Sequence, residues 1–336
     1  MAHLDAAREV TLARTLRPVF SDQRRLRHKL ANLVHSGLLL AGMLGLLGFC
    51  AWTVWGREGL VWAVLTGALA LALSPRVAPE WVMRMYRASP LTPRDAPELH
   101  YLLQQLAARA GLETAPRLYY VPSRLLNAFA VGTREQAAIA LTDGILRNLT
   151  YRELAGVLAH EISHVRNNDL WIMNLADLMS RLTSLLSWMG LFLLALSFPA
   201  LLLGGAYVPW LLVLTLIFAP TLMALLQLAL SRAREFDADL DAATLTRDPQ
   251  GLASALAKLD RLQGRYWEDI LLPGRRMPEP SLLRTHPPSE ERIARLLALA
   301  ESDEPPIRLP SPDARAMSMG PTLHAQPHWR WPGVWY

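Results

Sequence analysis

Between Arg181 and Arg232 the chain runs 50 residues without one Asp, Glu, Lys, Arg or His. A water-soluble globule cannot bury so long an apolar ribbon. A bilayer can, because about 20 residues of helix cross about 30 Å of hydrocarbon. The ribbon is too long for one crossing and long enough for two. Gly204-Gly205 divides it, with Tyr207, Pro209 and Trp210 alongside, residues that suit a turn at the headgroup boundary. Two spans are therefore predicted within 182–230. Two earlier apolar runs, 31–56 and 59–74, flank Arg57-Glu58 and stop at Pro75-Arg76. They predict a membrane hairpin over 31–75 whose second arm is short for a full crossing.

The resulting organisation has six parts. A basic leader (1–30) precedes the first two spans (31–75). A first soluble part (76–181) precedes spans three and four (182–230). A second soluble part (231–302) and a Pro- and Trp-rich tail (303–336) follow, the tail expected to be disordered. The net charge of +5 is almost all Arg. It concentrates in the leader, at Arg76, Arg84 and Arg87, and at Arg232 and Arg234, while both turns between spans carry no net charge. The positive-inside rule then puts both termini and all soluble parts in the cytoplasm, the chain being multi-pass in the cell (inner) membrane. Basic charge used this way reports topology, and no nucleic-acid partner is expected. No acid, Lys or Arg sits in the middle of a span, which argues against a transporter. The single cysteine, Cys50, excludes an internal disulfide and a multi-cysteine metal site.

The soluble parts carry their own punctuation. Pro97 to Gly111 predicts a helix with a terminating glycine. Arg117–Val121, Asn127–Val131 and Ala137–Leu141 have strand character and are separated by turn residues, predicting a small antiparallel sheet. Thr150 with Glu153 three residues on is a capping-box pair. The helix it opens is expected to reach about Leu170.

That helix contains His160-Glu161-Ile162-Ser163-His164. Residues i and i+4 share a helical face, so two imidazoles can converge on one ion, and imidazole nitrogen suits Zn2+. Glu161 is placed to reach a water at that ion without occupying the ion itself. The bland alternative is a helix with two part-exposed histidines and a surface acid. Apolar flanks (Val157, Leu158, Ala159, Val165) speak against it, since a buried ionisable cluster needs partners or a metal. A catalytic zinc takes three protein ligands. The extended three-histidine pattern needs a glycine at position 167 and a histidine at position 170, and the chain has Asn167 and Leu170. The third ligand is therefore sought between Arg232 and Asp239. There Glu235 and Asp239 lie i, i+4: one could bind metal while the other orients a ligand imidazole. Asp177 is a weaker rival. A strand edge near Asn127–Gly132 could hold an extended peptide.

Five segments in order resemble the HtpX family of membrane zinc metallopeptidases, a relative of the CAAX prenyl protease type. They are Asn127-Ala128-Phe129-Ala130-Val131-Gly132, Thr142 to Leu146, His160 to Asp169, Ser231 to Asp239, and Thr285-His286-Pro287-Pro288 with Glu291-Arg292-Ile293. The resemblance covers about residues 30–300. It implies a mainly α integral membrane protein of four transmembrane helices, with a gluzincin-like α+β zinc peptidase domain carrying a small β-sheet. It implies one Zn2+ per subunit on His160, His164 and Glu235, with Glu161 as general base. Asp239 would support the ligands, and Asn167 and Asp169 would have less defined supporting roles. His286 would be a transition-state donor or an occasional fourth ligand, or else a structural loop histidine. Asn127, Ala128 and Phe129 would line the substrate strand. The implied activity is endoproteolysis of damaged or misfolded (membrane) proteins at the cytoplasmic face, a quality-control and stress-response task whose partners are polypeptides and the lipid bilayer. A narrow processing peptidase and a non-catalytic zinc-binding scaffold are the alternatives.

Overall fold

The computed structural model describes residues 22–73, 79–202, 210–270, 289–300, 329–330 and 334–335. In chain order these form α1 (Asp22–Leu73), α2 (Pro79–Met85), β1 (Ser89–Pro90), α3 (Pro97–Ala110), β2 (Arg117–Val121), β3 (Ala128–Gly132) and β4 (Ala137–Thr142). Then come α4 (Asp143–Asn148), α5 (Tyr151–Asn167), α6 (Asp169–Leu202), α7 (Trp210–Thr246), α8 (Pro249–Ile270) and α9 (Ser289–Ala300). Of the tail, β5 (Trp329–Arg330) and β6 (Val334–Trp335) are described and pair antiparallel. The chain divides into two compact units.

The first unit comprises Leu30–Arg76 and Asp169–Arg234. Among the described residues, three helices are long and apolar enough to cross a membrane, within Leu33–Leu69, Asp169–Leu196 and Trp210–Thr246. The first of these is broken at Trp55 and Gly56, where Gly56 has φ 61°. Beyond the break the returning chain passes so close that a Cβ on Gly59 would collide with the carbonyl oxygen of Ala51. The break falls on the two residues immediately before the Arg57-Glu58 pair. Met43, Leu47, Ala176, Met179, Met223 and Leu230 form the interior. Leu38, Trp62, Trp188, Phe192 and Phe218 point outward. An apolar exterior of this kind is what lipid covers. Pro220 lacks an N–H, so the Leu216 carbonyl loses its intrahelical donor. Ser187 of α6 donates its hydroxyl to that carbonyl, the way neighbouring side chains satisfy a proline-freed group in a membrane. α6 begins at Asp169, so this helix starts well before the apolar ribbon does.

The second unit takes in Val77–Asn168 and Glu235–Tyr336, with Met1–Lys29. Its sheet has the order β1-β2-β4-β3. It is mixed, not antiparallel throughout: β2 and β4 run parallel, with Leu118 opposite Ile139, and β3 pairs antiparallel on the far side of β4. The cause lies in β4, which is buried at every position and apolar at all but its last, Thr142. A strand of that composition belongs in the centre, with neighbours on both edges. α5 starts with both halves of the capping box, Thr150 and Glu153, in place. It stops at Asn167 because Asn168 adopts φ 55° and closes the C-terminus. Asparagine tolerates this left-handed conformation better than most residues, so the helix ends short of Leu170. α5 rests on α8 at Gly156, where an added Cβ would stand 2.9 Å from Leu252 Cα.

Candidate metal centre

One turn of α5 separates His160 from His164, and their Nε2 atoms lie 3.1 Å apart. The rings stand nearly perpendicular, at 87°. α7 brings Glu235 against both: Oε2 is 3.4 Å from His160 Nε2 and Oε1 is 3.6 Å from His164 Nε2. All three ligand atoms fall within 4.8 Å of one another. Donor atoms 2.0–2.1 Å from a single tetrahedral ion stand about 3.3 Å apart. Two imidazoles and one carboxylate at these separations therefore fit one divalent cation. His160 and Glu235 are buried and His164 is nearly so.

Behind the ligands lies a second row of charge. Asp239, one turn beyond Glu235 on α7, places Oδ1 3.0 Å from His160 Nδ1. Arg292 of α9 donates to Asp239 from Nε and Nη2, both at 2.7 Å, and its Nη1 lies 3.1 Å from Glu235 Oε2. Burial alone would lower the His160 pKa, but Asp239 and Glu235 outweigh it and hold the imidazole well above its ordinary value. Burial alone would raise Asp239, but Arg292 outweighs it and keeps the carboxyl below the usual range. The same anionic field that draws a proton to His160 draws a metal cation. α9 is anchored beside the site by Arg295, whose guanidinium sits 3.7 Å over the Phe236 ring. Glu161, the residue after the first histidine, is half-buried, and its charge is felt at Arg292.

The other residues singled out in the sequence fall as follows. Asn167 donates from Nδ2 to Asp241 Oδ2 at 3.0 Å, a second tie between α5 and α7. Asp169 belongs to the membrane unit. It lies 3.2 Å from Arg234 Nη1, in a buried pair that also engages Ser36, so it stands next in space to the residue before Glu235. Its position past the Asn168 break puts it at the first turn of a new helix. Asp177 pairs with Arg181. His286 lies outside the described residues. Asn127 precedes β3 and exchanges backbone hydrogen bonds with the Thr142 hydroxyl. Ala128 and Phe129 open β3, an edge strand, with Phe129 buried beneath it. Arg292 has no role that the motif around it spells out. The signal that could have found it is physical: two acids sharing one buried helix face call for a cation.

Residues 93–300 match Peptidase family M48. The chain is 35% identical over 291 residues to a Protease HtpX homolog of Ralstonia pickettii (strain 12J), covering 82% of this chain and 99% of that one. It is 37% identical over 284 residues to a Protease HtpX homolog of Syntrophobacter fumaroxidans (78% and 97%). It is 35% identical over 285 residues to one of Pyrococcus furiosus (80% and 96%). The crystal structure of S. mikatae Ste24p aligns with 80% of this chain and 66% of its own, at 20% identity and a TM-score of 0.46.

Proposed function

The chain belongs to peptidase family M48, and from that premise we propose that this multi-pass membrane metalloprotease is a zinc endopeptidase that cuts damaged or misfolded membrane proteins at the cytoplasmic face. The observation that carries the reading is the convergence of His160, His164 and Glu235 within 4.8 Å, with Glu161 next in the chain to the first of them. His160, His164 and Glu235 would hold one zinc ion. When bound, it would supply Lewis acidity toward the scissile carbonyl and the attacking water. Glu161 accepts the proton of that water and returns it to the departing amine. Asp239 fixes the His160 ring through Nδ1, and Arg292 fixes Asp239. A substrate strand would add to the outer edge of β3, main chain to main chain, leaving selectivity to side-chain pockets.

The break in α1 at Trp55 and Gly56 supports reading it as two arms, hence four spans. The second arm, about 17 residues or about 25 Å of helix, is close to the minimum for a crossing. With an even number of spans, the Arg-rich leader and the segments after spans two and four favour cytoplasmic termini and a cytoplasmic site.

The test is metal content together with hydrolysis of unfolded casein by the detergent-solubilised chain, for the wild type and for Glu161→Gln. Chelator-sensitive cleavage by the wild type is expected, with one zinc per chain in both proteins and at least about 100-fold less cleavage in the variant. Full activity of Glu161→Gln overturns the assigned base. Cleavage of a single client alone points to a processing peptidase, and metal binding without any cleavage to a scaffold.

A further inference from the structure

Three buried polar residues meet in the membrane unit, one from each of its long apolar helices. Ser36 of α1, Asp169 at the start of α6 and Arg234 of α7 are 5%, 2% and 7% exposed. Arg234 donates from Nη1 to Asp169 Oδ1 at 3.2 Å and from Nη2 to the Ser36 hydroxyl at 3.0 Å. Taking a guanidinium and a carboxylate out of water costs about as much as their attraction returns, so such a pair is weak evidence for stability. Its best-attested use is to fix register. Apolar helices need that help in a membrane, because lipid tails are as apolar as leucine and reward no single alignment. The interior of this unit is of that kind, built of methionine, leucine and alanine.

The pair sits where register matters most. Arg234 immediately precedes Glu235 on α7, and consecutive Cα atoms stand about 3.8 Å apart. Asp169 follows Asn167, the last residue of α5, across the single residue Asn168. α5 carries His160 and His164. The pair is thus joined covalently, at close quarters, to both helices that supply ligands. A second tie, Asn167 to Asp241 at 3.0 Å, lies on the other side of Glu235 along α7. Positions 234 and 241 are two turns apart on nearly the same face of that helix. A slip of α7 by one turn, about 5.4 Å, exceeds the 4.8 Å within which the three ligand atoms gather. It would carry Glu235 out of the centre.

We propose that Asp169, Arg234 and Ser36 are positioning residues for the metal centre, a buried lock that sets the register of α7 so that Glu235 meets His160 and His164. The proposal rests on the metal-binding reading of those three ligands. The fork of Arg234 spends one arm on α6 and the other on α1, so the lock closes only when the first apolar helix is packed in place. A chain whose α1 is not seated therefore holds its third ligand loosely and binds metal weakly.

The test uses the full chain in detergent. Asp169→Leu with Arg234→Met exchanges the ion pair for apolar residues, a change that commonly leaves stability equal or higher. In this double variant zinc affinity is expected to fall at least about 10-fold in a competition titration, with the unfolding midpoint not lowered. A merely structural pair would leave zinc affinity where it was. The second readout is metal-free and adds Cys50→Ser, Asn167→Cys and Asp241→Cys. With the second tie replaced by thiols, a bis-thiosulfonate short enough to bridge only neighbouring thiols is expected to join positions 167 and 241. The further change Asp169→Leu with Arg234→Met is expected to abolish most of that cross-link. Unchanged zinc affinity or unchanged cross-linking overturns the proposal. Should the double variant not fold, Ser36→Ala, which keeps the ion pair, decides: reduced cross-linking supports the lock and undiminished cross-linking overturns it. A wild type that takes up no zinc refutes the metal centre, whereas the cross-link, read without metal, still decides whether the pair sets register.

Discussion

Arg292 grips Asp239 with two parallel hydrogen bonds of 2.7 Å while Asp239 stands 3.0 Å from the His160 ring. The guanidinium fork matches a carboxylate in a way an ammonium does not. Arg292→Met leaves two buried carboxylates without their cation, a change that costs about 3–5 kcal/mol. Metal affinity is expected to fall about 10–100-fold, the usual consequence of losing a group that orients a ligand. Arg292→Lys is expected to recover part of the stability and less of the affinity. Thermal unfolding and a metal-competition titration check both.

Glu153 makes stability depend on acid. Burial alone would raise its pKa. Hydrogen bonds from Lys258, Ser254 and Thr150 outweigh that and bring it down to about 2. A carboxyl whose folded pKa is depressed stabilises the fold fully above its unfolded value. That contribution fades as pH falls from the ordinary glutamate range toward about 2. Glu153→Gln is expected to lose about 2 kcal/mol at neutral pH. The two unfolding curves should converge as the pH approaches that of the depressed carboxyl. A gap that stays constant with pH contradicts this assignment.

In the membrane unit, Ser187 and Pro220 are energetically coupled through the Leu216 carbonyl. Ser187→Ala leaves that carbonyl without its donor and is expected to cost about 1–2 kcal/mol. Pro220→Ala restores an N–H to α7, so in that background the same Ser187→Ala change is expected to cost little. A double-mutant cycle in detergent, read by denaturation, should show a coupling of about 1 kcal/mol.

Gly156 is where α5, carrier of both histidines, approaches α8. Alanine is favoured over glycine in a helix by about 1 kcal/mol. Here its Cβ would meet Leu252 backbone at 2.9 Å, and a backbone atom cannot swing aside. Gly156→Ala is expected to destabilise the chain by about 1–3 kcal/mol, seen as a lowered unfolding midpoint.

Local chemistry was readable wherever it is written locally. β2 spans the residues its composition suggests, β3 and β4 differ from expectation by single residues, and the Thr150–Glu153 box opens α5 as its spacing requires. The converging face of His160 and His164 follows from helical periodicity alone. What escaped depends on partners distant in the chain. Pairing β2 beside β4 rather than β3 is set by which strand is apolar on both faces. The end of α5 turns on one asparagine in a left-handed conformation. The parts taken by Arg292 and Asp169 are decided by the groups they meet, 53 and 65 residues away in sequence, and no spacing rule reaches so far.

β3 lies at the rim of the sheet, bonded to β4 on one side. An open rim is a hazard for any protein, since it can zip onto its own kind and seed insoluble stacks. At five residues, ended by Gly132 with φ 100°, this rim is too brief to template such growth. Brevity here separates a grip that lets go from one that spreads.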